Sequence, residues 1–145
     1  MTKKEENARQ LFANGYNCAQ SVFASFCEEY GMDKNLALKI ANGLGGGIRN
    51  GEVCGAVSGA VLAIGLKYGF YIERDIEQKN LCNAKAIEFV NKFKGENGSI
   101  LCRDLLGIDI RAPEDFLTPE AKESVKKVCP EMVAAAVRAL ESMGF

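Results

Sequence analysis

The chain has no His and no Trp, and only three Pro in its 145 residues. Without His there is no Ser-His-Asp or Cys-His nucleophile machinery, no His-ligated zinc or haem, and no Cys-x-x-Cys-His haem attachment. An excess of one charge is missing too: 18 Lys and Arg stand against 19 Asp and Glu, and the pI is near 5.6. No Lys/Arg run exceeds two residues, so no field gathers polyanions, which argues against nucleic acid as a partner. The most apolar uncharged stretch, Val53 to Leu66, has 14 residues, whereas a bilayer crossing needs about 20. It predicts a buried helix and no membrane span. The opening MTKKEENARQ lacks the apolar stretch of a signal peptide, so the expected compartment is the cytoplasm.

With 48% hydrophobic and 26% charged residues, the composition is that of one soluble domain spanning 1-145. Helical periodicity and capping signals recur from end to end, and no alternating run bounded by hairpin turns is present, so the fold should be all-α. Thr2 with Glu5 makes a capping box for a first helix ending near Gly15, and Asn17 with Gln20 opens a second. The second carries the stripe Ala19, Val22, Phe23, Phe26, Cys27, Tyr30 up to Gly31. Asp33 caps a third helix with Leu36, Ala37, Ile40 and Leu44 inward. A long helix from about Glu73 to Lys94 turns Ile76, Cys82, Ala86, Phe89, Val90 and Phe93 to the core and ends at Gly95 to Gly98. Ser99 caps a short helix through Leu106, and residues 108 to 118 read as a surface connection. Thr118-Pro119-Glu120 opens a charged, solvent-facing helix, and Cys129-Pro130-Glu131 opens a last one with Val133, Ala136, Val137, Leu140 and Met143 inward. The expected architecture is a bundle of about seven or eight helices around a central Gly/Ala-rich helix.

Nine of the 15 glycines lie between Gly43 and Gly69. Gly51, Gly55 and Gly59 recur every four residues beside Ala56, Ala60 and Ala63, giving one helix face almost free of side chains that another helix or a buried cofactor can approach closely. Gly45, Gly46 and Gly47 form a loop able to take positive φ and to aim backbone N–H groups at an anion. The loop lacks the Gly-Lys-Ser/Thr of a P-loop, and a helix rather than a strand precedes it, so it reads as a turn or a wall for a buried cofactor.

Six cysteines stand at 18, 27, 54, 82, 102 and 129. In a reducing compartment such cysteines are core fillers, metal ligands or redox groups. Cys27 and Cys82 lie mid-helix on apolar stripes, where a free thiol acts as a small hydrophobe. Cys18, Cys54, Cys102 and Cys129 all fall in the first turn of an expected helix, where unpaired N–H groups and the helix dipole favour the thiolate. A thiolate is both nucleophile and metal ligand, so these four are the candidate redox thiols and metal ligands. Their spacing, Cys-x35-Cys-x47-Cys-x26-Cys, is unlike the Cys-x2-Cys pairs of zinc ribbons and ferredoxins. A single zinc shared by all four would require sulfurs within about 4 Å of one another.

Several segments together resemble one known family: Asn17-Cys18-Ala19-Gln20, Gly45 to Gly47, Gly51-Glu52-Val53-Cys54-Gly55-Ala56-Val57-Ser58-Gly59, Cys102-Arg103-Asp104-Leu105-Leu106-Gly107, and Cys129-Pro130. The chain is similar in these to the C_GCAxxG_C_C family of redox-active proteins, named for its cysteine and glycine signature. The resemblance carries the family's four cysteines onto Cys18, Cys54, Cys102 and Cys129 and leaves Cys27 and Cys82 outside the pattern. A related domain occurs in split-Soret cytochromes c, which implies an iron-sulfur centre as an occupant of the cysteine site; the haem does not transfer to a chain without His.

The expected function is therefore that of a redox protein whose four thiols ligate an iron-sulfur cluster or cycle between dithiol and disulfide. In the cluster case Gly45, Gly46, Gly47, Gly55 and Gly59 would let backbone approach the cofactor. The alternatives are a four-cysteine zinc or soft-metal site, and a structural or partner-binding domain with no cofactor. A redox partner is implied but not specified, and a homodimer is left open. Arg49, Glu52, Arg103 and Asp104 flank the cysteines, where they could position a ligand or form helix-end salt bridges.

Overall fold

The computed structural model describes residues 1–145. Its α-helices are α1 (Lys3–Ala13), α2 (Cys18–Ala24), α3 (Lys34–Ala41), α4 (Gly55–Tyr68), α5 (Ile76–Asn97), α6 (Cys102–Leu106) and α7 (Pro119–Ser142). Short 3-10 turns cover Cys27–Tyr30, Asn42–Leu44 and Pro113–Leu117, and a π turn covers Gly47–Gly51. The only β pairing is an isolated antiparallel bridge between Val53 and Leu101, so the fold is all-α.

Side-chain caps set where the helices begin. The hydroxyl of Thr2 accepts from the amide of Glu5 at 3.2 Å. Asn17 and Gln20 form a reciprocal capping box at the head of α2, and Asp33, Asp75 and Thr118 cap α3, α5 and α7. Each satisfies an amide that has no intrahelical partner. The core gathers around α4, whose Ala56, Val57, Ala60, Ala63 and Ile64 are buried with Val22, Phe23 and Phe26, with Phe89 and Phe93 of α5, and with Val133, Ala136, Val137 and Leu140 of α7. α4 packs against α2, α5 and α7, and its glycine face meets α2. A Cβ placed on Gly59 would stand 2.5 Å from the carbonyl oxygen of Ala19, so the two backbones touch where only glycine fits.

Five expectations are corrected. Residues 119 to 142 form one helix with Pro130 inside it, not two helices. A proline's φ suits a helix, and its cost is the lost N–H bond and ring crowding against the carbonyl four residues earlier, here Lys126. The seven buried residues of the following turns, Val133 to Val137 with Ala139 and Leu140, offset that cost. Gly51 belongs to the π turn, not to the face of α4. The long helix α5 runs on through Gly95 to a left-handed cap at Gly98; only Phe89 and Phe93 are buried, while Cys82, Ala86 and Val90 are half-buried and Ile76 is exposed. In α3 the buried residues are Ala37, Leu38 and Ala41, and Leu36 and Ile40 face solvent. Residues 108 to 118 are no simple surface connection, because Ile110 and Phe116 form a second small core with Cys102 and Leu106.

Candidate functional site

Three local devices bring the four cysteines to one place. The bridge between Val53 and Leu101 is completed by hydrogen bonds from the amide of Cys54 to the carbonyl of Ile100 and from the amide of Cys102 to the carbonyl of Glu52, both 2.7 Å. It seats the heads of α4 and α6 side by side. The close packing of α2 on α4 puts the Cβ of Cys18 3.2 Å from the place where Gly55 would carry its own. Helix α7 lies against α6, held by the Ser124 hydroxyl donating to the Leu106 carbonyl at 2.7 Å, and presents Cys129.

All four cysteines line one cavity of about 270 Å³, with Gly46, Gly55, Arg49, Phe116 and the apolar side chains of Leu105, Leu106, Val125, Val128 and Met132 among its walls. Cys18, Cys54 and Cys102 are buried and Cys129 is half-buried. Gly45, Gly47 and Gly59 lie outside the lining: Gly45 packs on the Asn17 side chain, Gly47 on the backbone of Glu52, and Gly59 on Ala19. Cys27 is fully buried, with its thiol donating to the Ala24 carbonyl at 3.4 Å, and Cys82 is half-buried against the main core. Neither lines the cavity.

Position along the helices also needs correction. Cys18 and Cys102 are first residues of α2 and α6 and Cys54 is the N-cap of α4, but Cys129 sits in the middle of α7. Nor does helix position make the thiols acidic. Burial pushes Cys54 up to about 11, against the pull of the Ala56 and Val57 amides. Burial and the neighbouring Cys54 and Cys129 push Cys102 up to about 12, with Arg49 pulling the other way. Desolvation penalises any anion, and in this cavity it exceeds what amides and dipole return. The neighbouring Cys129, together with burial, pushes Cys18 well above the ordinary thiol value, and the neighbouring Cys18 lowers Cys129.

The donor set is all sulfur, which suits iron, zinc or another soft metal. The four thiols line one shared cavity, and no three Cys, Asp or Glu side chains in the chain already stand at single-ion distance from one another. Among the flanking charged residues, Arg103 pairs with Glu52 at 3.1 Å and donates to the Gly51 carbonyl at 3.2 Å. Asp104 accepts from the Ser99 hydroxyl at 2.7 Å. Only Arg49 lines the cavity. Phe116 escapes the sequence reading because it follows Pro113 in a stretch without period; its one signal is that it is the single aromatic residue of the 108 to 118 connection.

The family model described as "Putative redox-active protein (C_GCAxxG_C_C)" matches residues 16–143. The chain belongs to this family. The match takes in all four cavity cysteines, the glycine loop and the Cys129-Pro130 step within α7. No curated protein and no solved structure matches the chain. The C_GCAxxG_C_C assignment thus supplies a redox role without a substrate or a partner.

Proposed function

We propose that this C_GCAxxG_C_C protein is a one-electron carrier of a reducing compartment, whose Cys18, Cys54, Cys102 and Cys129 ligate an iron-sulfur cluster and exchange electrons with a redox partner. The observation that carries the reading is the convergence of the four thiols on one largely apolar cavity of about 270 Å³, in a chain whose family is described as redox-active. A cluster takes one or two cysteines per iron and spreads them around its body, and its one-electron couple fits that description where zinc, which has no redox chemistry, does not. The cluster, when bound, would supply a one-electron couple. The chain's own residues hold the thiolates, exclude water with Leu105, Leu106, Val128 and Met132, and give the cavity a single cation, Arg49. No helix of the chain is long and apolar enough to cross a membrane.

One observation favours a second reading, the adjacency of Cys18 and Cys129 in the cavity, each shifting the titration of the other. There Cys129 attacks one sulfur of a substrate disulfide, the first substrate sulfur leaves as a thiol, and Cys18 attacks Cys129 to release the second. Two electrons and two protons pass to the substrate and a disulfide remains between Cys18 and Cys129. Anaerobic purification separates the two. Absorption bands between about 400 and 500 nm, with iron and acid-labile sulfide in the protein, support the cluster. A colourless protein free of iron, with two thiols lost to a Cys18–Cys129 disulfide on mild oxidation, supports the dithiol. A colourless zinc protein rejects both.

A further inference from the structure

The loop ahead of α4 places a cation where the thiols themselves do not require one. Gly46, Gly47, Ile48 and Arg49 follow one another through the left-handed region, at φ 65, 61, 58 and 58°. Residues with a Cβ avoid that region, and they stay in it only where the surroundings over-determine the chain. Ile48 is 59% exposed, so burial of its side chain does not account for the turn. What the turn positions is Arg49. Its guanidinium carbon lies 4.3 Å from the centroid of the Phe116 ring. A Cβ on Gly46 would stand 2.9 Å from Arg49 Nη1 and 3.0 Å from Phe116 Cζ, so the glycine leaves open the seat that the stacked pair occupies.

This cation has no carboxylate. None of the ion pairs of the chain includes Arg49, Lys122 or Lys126. Arg49 is the only charged residue among the 17 that line the cysteine cavity. On its solvent side the same Arg49, Phe116 and Val125 wall a second depression together with Lys122 and Lys126, against one acid, Glu123. Three cations outside any ion pair thus line this depression, which shares Arg49, Phe116 and Val125 with the wall of the cysteine cavity. A guanidinium braced on an aromatic ring keeps its N–H fork free for an oxyanion.

We propose that Arg49, supported by Lys122 and Lys126, is an anion-recognition site in the depression that adjoins the cysteine cavity, and that the small molecule meeting the redox centre across this shared wall bears a carboxylate, sulfonate or similar oxyanion. The purpose of the site rests on the redox reading; its existence does not. Equilibrium dialysis of the full chain against radiolabelled sulfate, used as the probe at low ionic strength, tests it. One saturable site per chain is expected, weakening as sodium chloride is added. Arg49→Gln should weaken it about tenfold, as loss of a charge-assisted contact does, and Lys122→Gln or Lys126→Gln about threefold each. Arg49→Gly keeps the test falsifiable should Arg49→Gln misfold. Glycine adopts this φ freely, so the variant should melt no lower than the parent yet lose sulfate. Absence of saturable binding, or binding undiminished in both Arg49 variants, overturns the proposal. Sulfate binding in a protein with no redox titration would reject the redox reading alone, and a redox-active protein that ignores sulfate would reject this site alone.

Discussion

At the residue scale the cavity thiols and the core thiols should separate cleanly. Cys27→Ala removes a buried sulfur that does not line the cavity, so it should cost about 1 kcal/mol of stability and leave metal content and redox titration unchanged. Cys129→Ser should abolish the titration at little cost in stability of the unloaded chain; urea melts with iron analysis check both. The raised thiols also predict a pH dependence. An unfolded thiol titrates near 8.5, while folded Cys54 and Cys102 titrate at about 11 and 12. Both folded values are raised, so the stability these groups contribute is full below the unfolded value and is lost as pH rises toward the folded ones, because the unfolded chain sheds the protons first. The reduced, metal-free protein should therefore melt at progressively lower temperature between about pH 8.5 and 11, and the Cys54→Ala, Cys102→Ala double variant should show a flatter slope. Equal slopes would mean that the two thiols are not desolvated as placed. Helix-start position selected Cys18, Cys54, Cys102 and Cys129 in the sequence, yet it holds for only three of them, and the electrostatic reason behind it is outweighed by burial.

At the element scale the informative pairs are α2 with α4, and α7 with its proline. Gly59→Ala places a methyl 2.5 Å from the carbonyl oxygen of Ala19. Backbone cannot yield there as the end of a flexible side chain would, so the variant should lose about 1 to 3 kcal/mol despite alanine's better helix propensity; thermal melts that show a gain would contradict the packing of α4 on α2. Pro130→Ala should do the opposite. Proline in a helix interior is about 3 kcal/mol worse than alanine, and the stiffness it lends the unfolded chain returns up to about 1 kcal/mol, so the variant should be more stable by about 2 to 3 kcal/mol in urea. A loss instead would mean that the half-buried pyrrolidine ring packs better than the restored hydrogen bond. Pro130 also shows why the element boundaries were partly illegible. A Pro after a charged stretch and before an apolar one reads as a helix start, and only the burial of the following turns reveals that the helix continues through it. α4, by contrast, was legible as central because a mostly apolar, nearly uncharged run has no solvent face to offer.

At the scale of the whole molecule the cavity ties together segments that are remote in sequence. Its thiols come from α2, the head of α4, α6 and α7; periodicity assigns faces to helices but not helices to neighbours, so their convergence was legible only through the shared helix-start placement of the four cysteines and the family resemblance that picks out the same four. A second tie joins α1 to α7, where the buried carboxylate of Glu5 receives Arg138 at 3.1 Å and Arg9 at 3.3 Å. Loading the cavity should act differently, because a group bound only by the folded chain adds its binding free energy to folding. With donors drawn from four elements that share one main core, that addition cannot stay local. The anaerobically purified, loaded protein should melt in a single transition at higher temperature than the same protein stripped of metal by a chelator. Cys129→Ser should melt like the stripped form and lose nothing further on chelation. Scanning calorimetry of these preparations decides the matter: an unchanged melting temperature on stripping, or a shift confined to one of two resolved transitions, would mean that the four elements do not hold the centre jointly.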